Sequence, residues 1–236
     1  ERKTFSVSWS ADTVMDVIAA LTPWQFFTEP GLWIGLTIAA SPAARQAMLA
    51  HRELIARETL ATAVELAVHL VEHGYRDLVF LGDPDASPDV AERYTGFTRG
   101  LTLAGVPTPP LVPCMFDVDS GYAAARKLLR KGTLPQAIVC ANDEVALGTQ
   151  LAADEFGLAV PGDLALTGWD DVMTARFVGL STVRQPMREL GGTAAAWLHD
   201  RMTDPALDPG RRTARPRRRI LPTQLVIRRS CGSHPG

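Results

Sequence analysis

Four side chains of this sequence have the chemistry to bind a small polar molecule: Arg93, Asn142, Trp169 and Asp170. A guanidinium group donates paired hydrogen bonds to a carboxylate, a phosphate or neighbouring hydroxyls. A carboxamide both donates and accepts, a carboxylate can accept from two hydroxyls, and an indole offers a flat apolar face. Together they suit a ligand with several hydroxyl groups, although each one alone is also typical of a helix cap or a surface ion pair.

A second pattern, His69-Leu-Val-Glu72-His73, has the spacing of an inverted zinc-protease motif. Two histidines four residues apart lie on one side of a helix, and the glutamate could act as a base. Such a site needs a third ligand, and we favour the alternative that this helix packs beside a sheet. The sequence has no G-x-S-x-G turn, P-loop or dinucleotide fingerprint. We therefore expect no enzyme, no cofactor and no metal.

From residue 77 onwards, short apolar segments alternate with amphipathic ones, which is typical of parallel strands covered by helices on both faces. We predict a doubly wound α/β fold, in which ligands bind at the carboxyl ends of the strands. Arg93, Asn142 and Asp170 all follow predicted strands, and Asp143 is expected to cap a helix. The predicted strands are 77–82, 111–116, 136–140, 164–168 and 220–227, and the predicted helices are 90–104, 120–130, 143–156 and 187–202.

The beginning of the chain has a different pattern. Residues 11–21 have helical spacing, residues 32–40 are typical of a buried strand, and residues 42–73 predict two helices that end at Gly74. An aromatic, turn-rich stretch with Trp24, Phe26 and Phe27 lies between them. We expect these three rings to belong to a core or a subunit contact.

The composition is that of a globular protein, with 24 basic and 26 acidic side chains and 46% hydrophobic residues. This excludes a disordered chain, a collagen, a disulfide scaffold and a membrane-spanning bundle. Eight arginines and no acid follow residue 210, which favours a solvated loop before the last strand over a nucleic-acid or membrane contact. Three scattered cysteines and the lack of a signal-peptide pattern predict reduced thiols in the cytoplasm and no membrane association.

Several segments, in order, resemble the effector-binding domain of the LacI/GalR (lactose-repressor/galactose-repressor) family of bacterial transcription regulators. The resemblance extends over residues 57–232, roughly three quarters of the chain. The matching segments are His69-Leu-Val-Glu-His-Gly-Tyr-Arg-Asp-Leu-Val-Phe-Leu-Gly, Arg93-Tyr-Thr-Gly-Phe, Asp119-Ser-Gly-Tyr, Ala141-Asn-Asp-Glu-Val-Ala-Leu-Gly, Val160-Pro-Gly-Asp-Leu-Ala-Leu-Thr-Gly-Trp-Asp-Asp, Ser181-Thr-Val-Arg-Gln-Pro and Leu221-Pro-Thr-Gln-Leu-Val-Ile-Arg-Arg-Ser.

This resemblance implies two Rossmann-like parallel-sheet subdomains of the periplasmic-binding-protein-like type I, with an effector cleft between them, in a homodimer. Its N-terminal subdomain would cover about 57–113 and its C-terminal subdomain about 114–184, with a return crossover after 185 and a tail at 233–236.

The resemblance also implies roles for individual residues. It places Arg93, Asn142 and Asp170 at polar contacts with the effector, and Gln185 near the pocket. Phe116 falls at an aromatic position of the pocket wall. With Trp169 it would stack on either a sugar or a nucleobase.

Two departures from the family pattern limit what it implies. The sequence lacks the helix-turn-helix pattern of the DNA-binding head, so this chain as given is expected not to bind an operator. The sensor normally has about a hundred residues before the point matched by Glu58, whereas residues 1–56 are fewer and do not resemble that half-lobe. The N-terminal subdomain is therefore expected to be shortened or atypical.

The resulting hypothesis is a non-enzymatic sensor of a small effector, by default a sugar and alternatively a purine or nucleoside. It would regulate transcription through hinge movement between its subdomains, and would contact DNA only through a head domain absent from this chain. Two alternatives remain open: a solute-binding protein for sugar transport, and a degenerate dimerising module without ligand.

Overall fold

A computed structural model of the chain describes residues 59–193, 196 and 219–232. Three sets of expectations lie outside these residues: those for residues 1–58, for residues 194, 195 and 197–202 of the predicted helix 187–202, and for the tail 233–236. The chain divides into two compact units. The main unit comprises Ala56–Gln185 with Pro222–Gly236, and the second unit comprises Glu1–Ile55 with Pro186–Leu221.

A parallel four-stranded sheet forms the centre of the main unit, in the order β2-β1-β3-β4. This confirms the predicted α/β fold with a parallel sheet. The strands are β1 (Leu78–Leu81), β2 (Leu111–Val112), β3 (Ala137–Cys140) and β4 (Ala165–Thr167). The helices are α1 (residues 59–72), α2 (Pro88–Leu103), α3 (Val118–Leu129), α4 (Asp143–Glu155) and α5 (Met173–Val178).

The two central strands are buried along their whole length, which explains why they are continuous apolar runs rather than alternating ones. Successive side chains of a strand point to opposite faces. Phe80 and Val139 therefore join a core cluster on one face, together with residues of α1 and α2. Leu81 and Cys140 join a second cluster on the other face, together with residues of α3 and α4.

Helices α3 and α4 approach each other closely because glycines lie where they touch. A Cβ atom on Gly121 would lie 2.7 Å from the carbonyl oxygen of Val145, and one on Gly148 would collide with the backbone of Val118. The start of α3 is capped by the Asp117 carboxylate, which accepts from the Ser120 amide at 2.8 Å. Both helices are thus held with their N-termini near the carboxyl ends of the strands.

The chain returns to the main unit through an antiparallel pair. Strand β5 (Thr182–Arg184) pairs with β6 (Gln224–Val226), and a 3₁₀ turn follows at Arg229–Cys231. Backbone bonds from the Gly168 and Asp170 amides to the carbonyls of Ser181 and Val183 continue this pair from the end of β4. This antiparallel pair departs from the all-parallel pattern of the prediction.

Strands from both sides of residue 113 belong to one sheet. Strand β1, from the predicted N-terminal subdomain, pairs in register with β3 from the predicted C-terminal subdomain. Both segments therefore share one sheet and one core, and Ala56–Gln185 is continuous in the main unit.

The predicted strand 111–116 is reduced to the two residues of β2, and the predicted strand 220–227 to the three of β6. In the second unit, the described part of a further helix, α6, covers residues 187–193. Within that unit the Arg219 guanidinium forms a surface ion pair with Glu189 at 2.8 Å.

Candidate functional site

Arg93 lies in the second turn of α2 and its side chain is buried, with the residue 8% exposed. Its Nη1 donates to the carbonyl oxygen of Ala141, directly after β3, at 2.6 Å. Its Nη2 lies 3.7 Å from Oδ1 of Asp170, beyond the end of β4. One guanidinium thus connects the carboxyl ends of two neighbouring strands, where the sequence places the ligand site.

Trp169 and Asp170 complete the surroundings of this guanidinium. The guanidinium carbon of Arg93 lies 5.0 Å from the ring centre of Trp169, which is a cation–π contact. The Gln185 side-chain amide donates to Oδ1 of Asp170 at 2.6 Å. Four of the six predicted site residues are therefore in direct contact, although they are separated by up to 92 positions between Arg93 and Gln185.

Asn142 is held by the backbone on both sides of its carboxamide. Its Oδ1 accepts from the Val145 amide at 2.9 Å and caps α4, while its Nδ2 donates to the carbonyl oxygen of Phe116 at 2.9 Å. This contact joins Asn142 to Phe116, the remaining predicted residue. The Phe116 side chain is half-buried and packs against the cluster around Phe80.

Asp143 does not cap α4 as the sequence suggested, because Asn142 does so one position earlier. Asp143 instead is fully buried and accepts from the Thr182 hydroxyl at 2.6 Å and the Val172 amide at 2.9 Å. Burial raises the pKa of this carboxyl to about 7, against the opposing effect of those hydrogen bonds. It thus ties the end of β4 to β5 directly beneath the candidate site.

The turn after β4 has an unusual backbone. Asp170 and Asp171 both have positive φ angles, 116° and 55°, which L-residues other than glycine seldom adopt. Such conformations cost on the order of 1–3 kcal/mol each and persist only where surrounding contacts enforce them. They occur here at Asp170, which is predicted to contact the effector, and at its neighbour Asp171.

The Asp171 side chain is 1% exposed and contacts three arginines. Its Oδ2 accepts from Nε of Arg184 at 2.6 Å, and its Oδ1 accepts from Arg228 at 2.5 Å. Arg176 of α5 lies 3.7 Å away. Burial raises the pKa of this carboxyl, but the hydrogen bonds from Arg228 and Arg184 outweigh it and hold the pKa below its usual range. No local pattern in the sequence indicates this network, since its members are spread from 171 to 228.

The histidines of the protease-like motif pack against the end of the chain. Nε2 of His69 lies 3.4 Å from Sγ of Cys231, and the His73 ring contacts the His69 ring edge-on. Cys231 is fully buried and its thiol also contacts the Ser181 hydroxyl at 2.9 Å. Within residues 59–193, 196 and 219–232, no group of three potential ligands is placed to hold a metal ion.

In the same described ranges, no helix combines the length and apolar character that crossing a bilayer requires.

The chain is similar to known proteins over this same region. Residues 67–231 match the family described as periplasmic binding protein-like domain. A curated relative, the HTH-type transcriptional repressor PurR of Yersinia pestis (strain Pestoides F), is 35% identical over 171 residues, covering 71% of this chain and 48% of the relative. The chain thus spans about half the length of the curated relatives it matches.

Solved structures have the same fold. A putative LacI-family regulator from Sanguibacter keddieii has 32% identity and a TM-score of 0.67, covering 75% of this chain and 65% of that one. A LacI-family regulator from Enterococcus faecium with bound ribose has 24% identity and a TM-score of 0.66, covering 74% and 63%, and supports the fold alone. The family match, the PurR relative and the parallel sheet agree, and this chain belongs to the periplasmic binding protein-like family as a LacI/GalR-type effector-binding domain.

Proposed function

We propose that the chain binds a small polar effector at the carboxyl ends of β1, β3 and β4 and acts as the sensing part of a LacI/GalR-type transcription regulator. A sugar is the first candidate for the effector, and a purine or nucleoside is the second. The contacts would come from Arg93, Trp169, Asp170 and Gln185, with Asn142 and Phe116 beside them.

The observation that carries this proposal is a pair of buried donors. Nε of Arg93 and Nε1 of Trp169 are buried and have no hydrogen-bond partner among the described residues. Each unsatisfied buried donor destabilises a protein by about 1–3 kcal/mol, so such donors are rare outside functional sites. Two of them in residues that contact each other favour a ligand with acceptor oxygens or nitrogens.

The spacing of Arg93 and Asp170 agrees with this view. The 3.7 Å between their nearest atoms is an ion pair but exceeds the 2.7–3.2 Å of a good N–H···O hydrogen bond. A ligand hydroxyl could donate to the carboxylate and accept from the guanidinium. The flat face of Trp169 would then cover the apolar side of a sugar or a base.

The signal would be allosteric. An effector that binds one hinge angle of the full-length regulator better than another shifts the population toward that angle. The spacing of two DNA-binding heads in a dimer would change with it. In such a regulator DNA binding would belong to a separate head domain, and this chain would supply the effector-dependent part.

The decisive experiment is a thermal-shift screen of the chain against ribose, other monosaccharides, disaccharides, hypoxanthine, guanine and their nucleosides. A ligand at 100 times its Kd stabilises the native state by about 2.7 kcal/mol, which shifts Tm by several degrees. Hits are then measured by titration calorimetry. The proposal expects at least one hit whose binding is lost in Asp170→Asn and Arg93→Gln.

Asp154→Asn is the matched control, because Asp154 is an exposed carboxylate on α4 that accepts from Gln150. It should bind the hit as the unchanged protein does. A cooperative melt with no hit, or a hit that survives both site variants, contradicts the proposal. The first of these results favours a dimerising module without ligand.

We also propose that the domain dimerises through α5. Met173 and Phe177 on this helix are 73% and 78% exposed, and they are neighbours at i and i+4. Large apolar side chains that stay exposed together are typical of protein interfaces. A second copy of the chain is the partner that agrees with its family.

A further inference from the structure

We propose that Asp171 is a positioning residue of the effector site: its contacts with Arg176, Arg184 and Arg228 hold the turn after β4 so that Trp169 and Asp170 face Arg93. The inference rests on the proposed function only in naming the site as an effector site. The positioning itself can be tested without any ligand.

The turn needs an external hold because its backbone is unfavourable. Asp170 and Asp171 follow one another with φ angles of 116° and 55°. Two adjacent non-glycine residues keep such angles only where the surroundings over-determine them. The backbone holds the first part of the turn, since the Asp170 amide donates to the carbonyl of Val183 and the Trp169 carbonyl accepts from the Asp143 amide, both at 2.8 Å. The Asp171 amide donates to the Thr182 hydroxyl over a longer distance, 3.4 Å.

The Asp171 side chain holds the turn further, beside the bond from the Val172 amide to the Asp143 carboxylate at 2.9 Å. Its carboxylate is 1% exposed and joins three separate segments of the chain: Arg176 in α5, Arg184 in β5 and Arg228 after β6. Arg228 is itself fixed, since it also donates to the carbonyl of Leu180 at 2.7 Å. Charge-assisted hydrogen bonds of this kind are about twice as strong as neutral ones and are directional.

The two neighbouring aspartates therefore contact different groups. The carboxylate of Asp170 meets Arg93 and Gln185, while that of Asp171 meets the arginine network. Because the residues are adjacent, fixing the second carboxylate fixes the backbone on which the first one and Trp169 are carried. Release of Asp171 would allow both residues to turn away from Arg93.

The test uses Asp171→Gly and Asp171→Asn. Glycine accepts positive φ freely, and asparagine is among the residues that tolerate it best, so both keep the backbone conformation accessible. Glycine removes the carboxylate, and asparagine keeps one acceptor oxygen but loses the charge. Arg126→Gln is the control, because it breaks the exposed Arg126–Glu155 pair at 2.9 Å on the surface of α3.

The main readout is solvent exposure of the Trp169 ring, which is 2% exposed in the structure. The five tryptophans are labelled with 5-fluorotryptophan, and the Trp169 ¹⁹F resonance is assigned with Trp169→Phe. The resonance shift between H₂O and D₂O measures exposure and does not respond to the lost charge. We expect this shift to be near zero in the unchanged chain and in Arg126→Gln, and several-fold larger in both Asp171 variants.

A Trp169 ring that stays protected in Asp171→Gly and Asp171→Asn overturns the proposal. If neither variant folds, Arg184→Gln takes their place, because Arg184 is partly exposed and its loss leaves Asp171 with two partners. It should raise the exposure of Trp169 in the same direction, and unchanged protection there also overturns the proposal.

Calorimetry with ribose and with hypoxanthine separates this proposal from the proposed function. If the unchanged chain binds either compound, the Asp171 variants should bind it at least tenfold more weakly, and equal binding overturns the positioning role. If the unchanged chain binds neither of these two compounds and none of the others in the screen, the proposed function fails. The exposure of the Trp169 ring in the Asp171 variants then still decides the role of Asp171.

Discussion

The guanidinium of Arg93 lies over the indole of Trp169, with 5.0 Å between the guanidinium carbon and the ring centre. Both residues are buried, and the same guanidinium donates to the carbonyl of Ala141 at 2.6 Å. A charge held between an aromatic face and a backbone oxygen is specific to the planar shape of arginine. Lysine, although it carries the same charge, should therefore not replace arginine at position 93 without loss.

Arg93→Lys keeps the charge but loses the planar stack and the fixed donor to Ala141. We expect the free energy of unfolding in urea to fall by about 2 kcal/mol, and effector binding to be lost. The control is Arg99→Lys, an exposed position on the same helix, where we expect no change. If Arg93→Lys and the unchanged chain have equal free energies of unfolding, the contacts of Arg93 with Trp169 and Ala141 contribute nothing to stability.

Asn142 has a structural role that can be separated from ligand binding. Asn142→Ser keeps a good helix cap but cannot reach the carbonyl of Phe116, whereas Asn142→Ala loses both bonds. We expect the free energy of unfolding in urea to fall by about 1–2 kcal/mol in Asn142→Ala and by less in Asn142→Ser. If both variants keep the affinity of the unchanged chain for the effector, Asn142 acts only as a cap.

Asp143 makes stability depend on pH in a definite direction. Its folded pKa of about 7 lies above the unperturbed 3.8, so the folded state binds more protons between these values. Stability is therefore lost as pH rises from about 4 to about 7, with a slope approaching about 1.4 kcal/mol per pH unit.

Asp143→Asn removes this titration while keeping an oxygen for the Val172 amide and an N–H for the Thr182 hydroxyl. The difference in urea-unfolding free energy between this variant and the unchanged chain, measured from pH 4 to 7.5, isolates the contribution of Asp143. A difference that does not vary with pH contradicts the raised pKa.

Gly148 is required by the close approach of α3 and α4. A Cβ atom there would collide with the backbone of Val118 and Tyr122, so Gly148→Ala should destabilise the fold by about 3 kcal/mol. Gly192, a helical glycine in α6, is the matched control, because no atom of the described residues lies within 4 Å of such a Cβ. Gly192→Ala should be neutral or stabilising by up to about 1 kcal/mol in thermal unfolding.

Phe177 tests the proposed dimer. Phe177→Glu places a charge at the centre of the α5 surface and should convert a dimer to a monomer in sedimentation velocity. Leu103→Glu is the control, since Leu103 is exposed to a similar extent, 74%, at the end of α2. A monomeric unchanged chain, or a dimer in Phe177→Glu, would contradict dimerisation through this helix.

The sequence predicts the central elements well because their signals are local. Strand β3 was expected at 136–140 and lies at Ala137–Cys140, and α4 was expected at 143–156 and lies at Asp143–Glu155. An apolar run between turn residues, or a cap followed by helical spacing, lies within a few residues of the element it specifies.

Elements that depend on distant partners were missed. Helix α5 has six residues and no side-chain cap, which is too short to produce a periodic pattern. Strand β5 exists through pairing with β6, some forty residues later in the chain. The same holds for the candidate site. The sequence predicts the residue types that line it, but the contacts of Asp171 with three arginines and the buried hydrogen bonds of Asp143 follow only from the fold.

The end of the chain closes the main unit. Ser230 and Cys231 are buried, Ser230 donates to the carbonyl of Leu166 at 2.6 Å, and Tyr75 donates to the carbonyl of Cys231 at 3.2 Å. During synthesis, Tyr75 leaves the ribosome well before Cys231, because the two residues are 156 positions apart in the chain. One flank of the core formed by helix α1 and the sheet therefore stays uncovered until Ser230 and Cys231 have been synthesised. The main unit therefore cannot complete its core while residues 219–232 are still inside the ribosome, whatever the preceding chain has already formed.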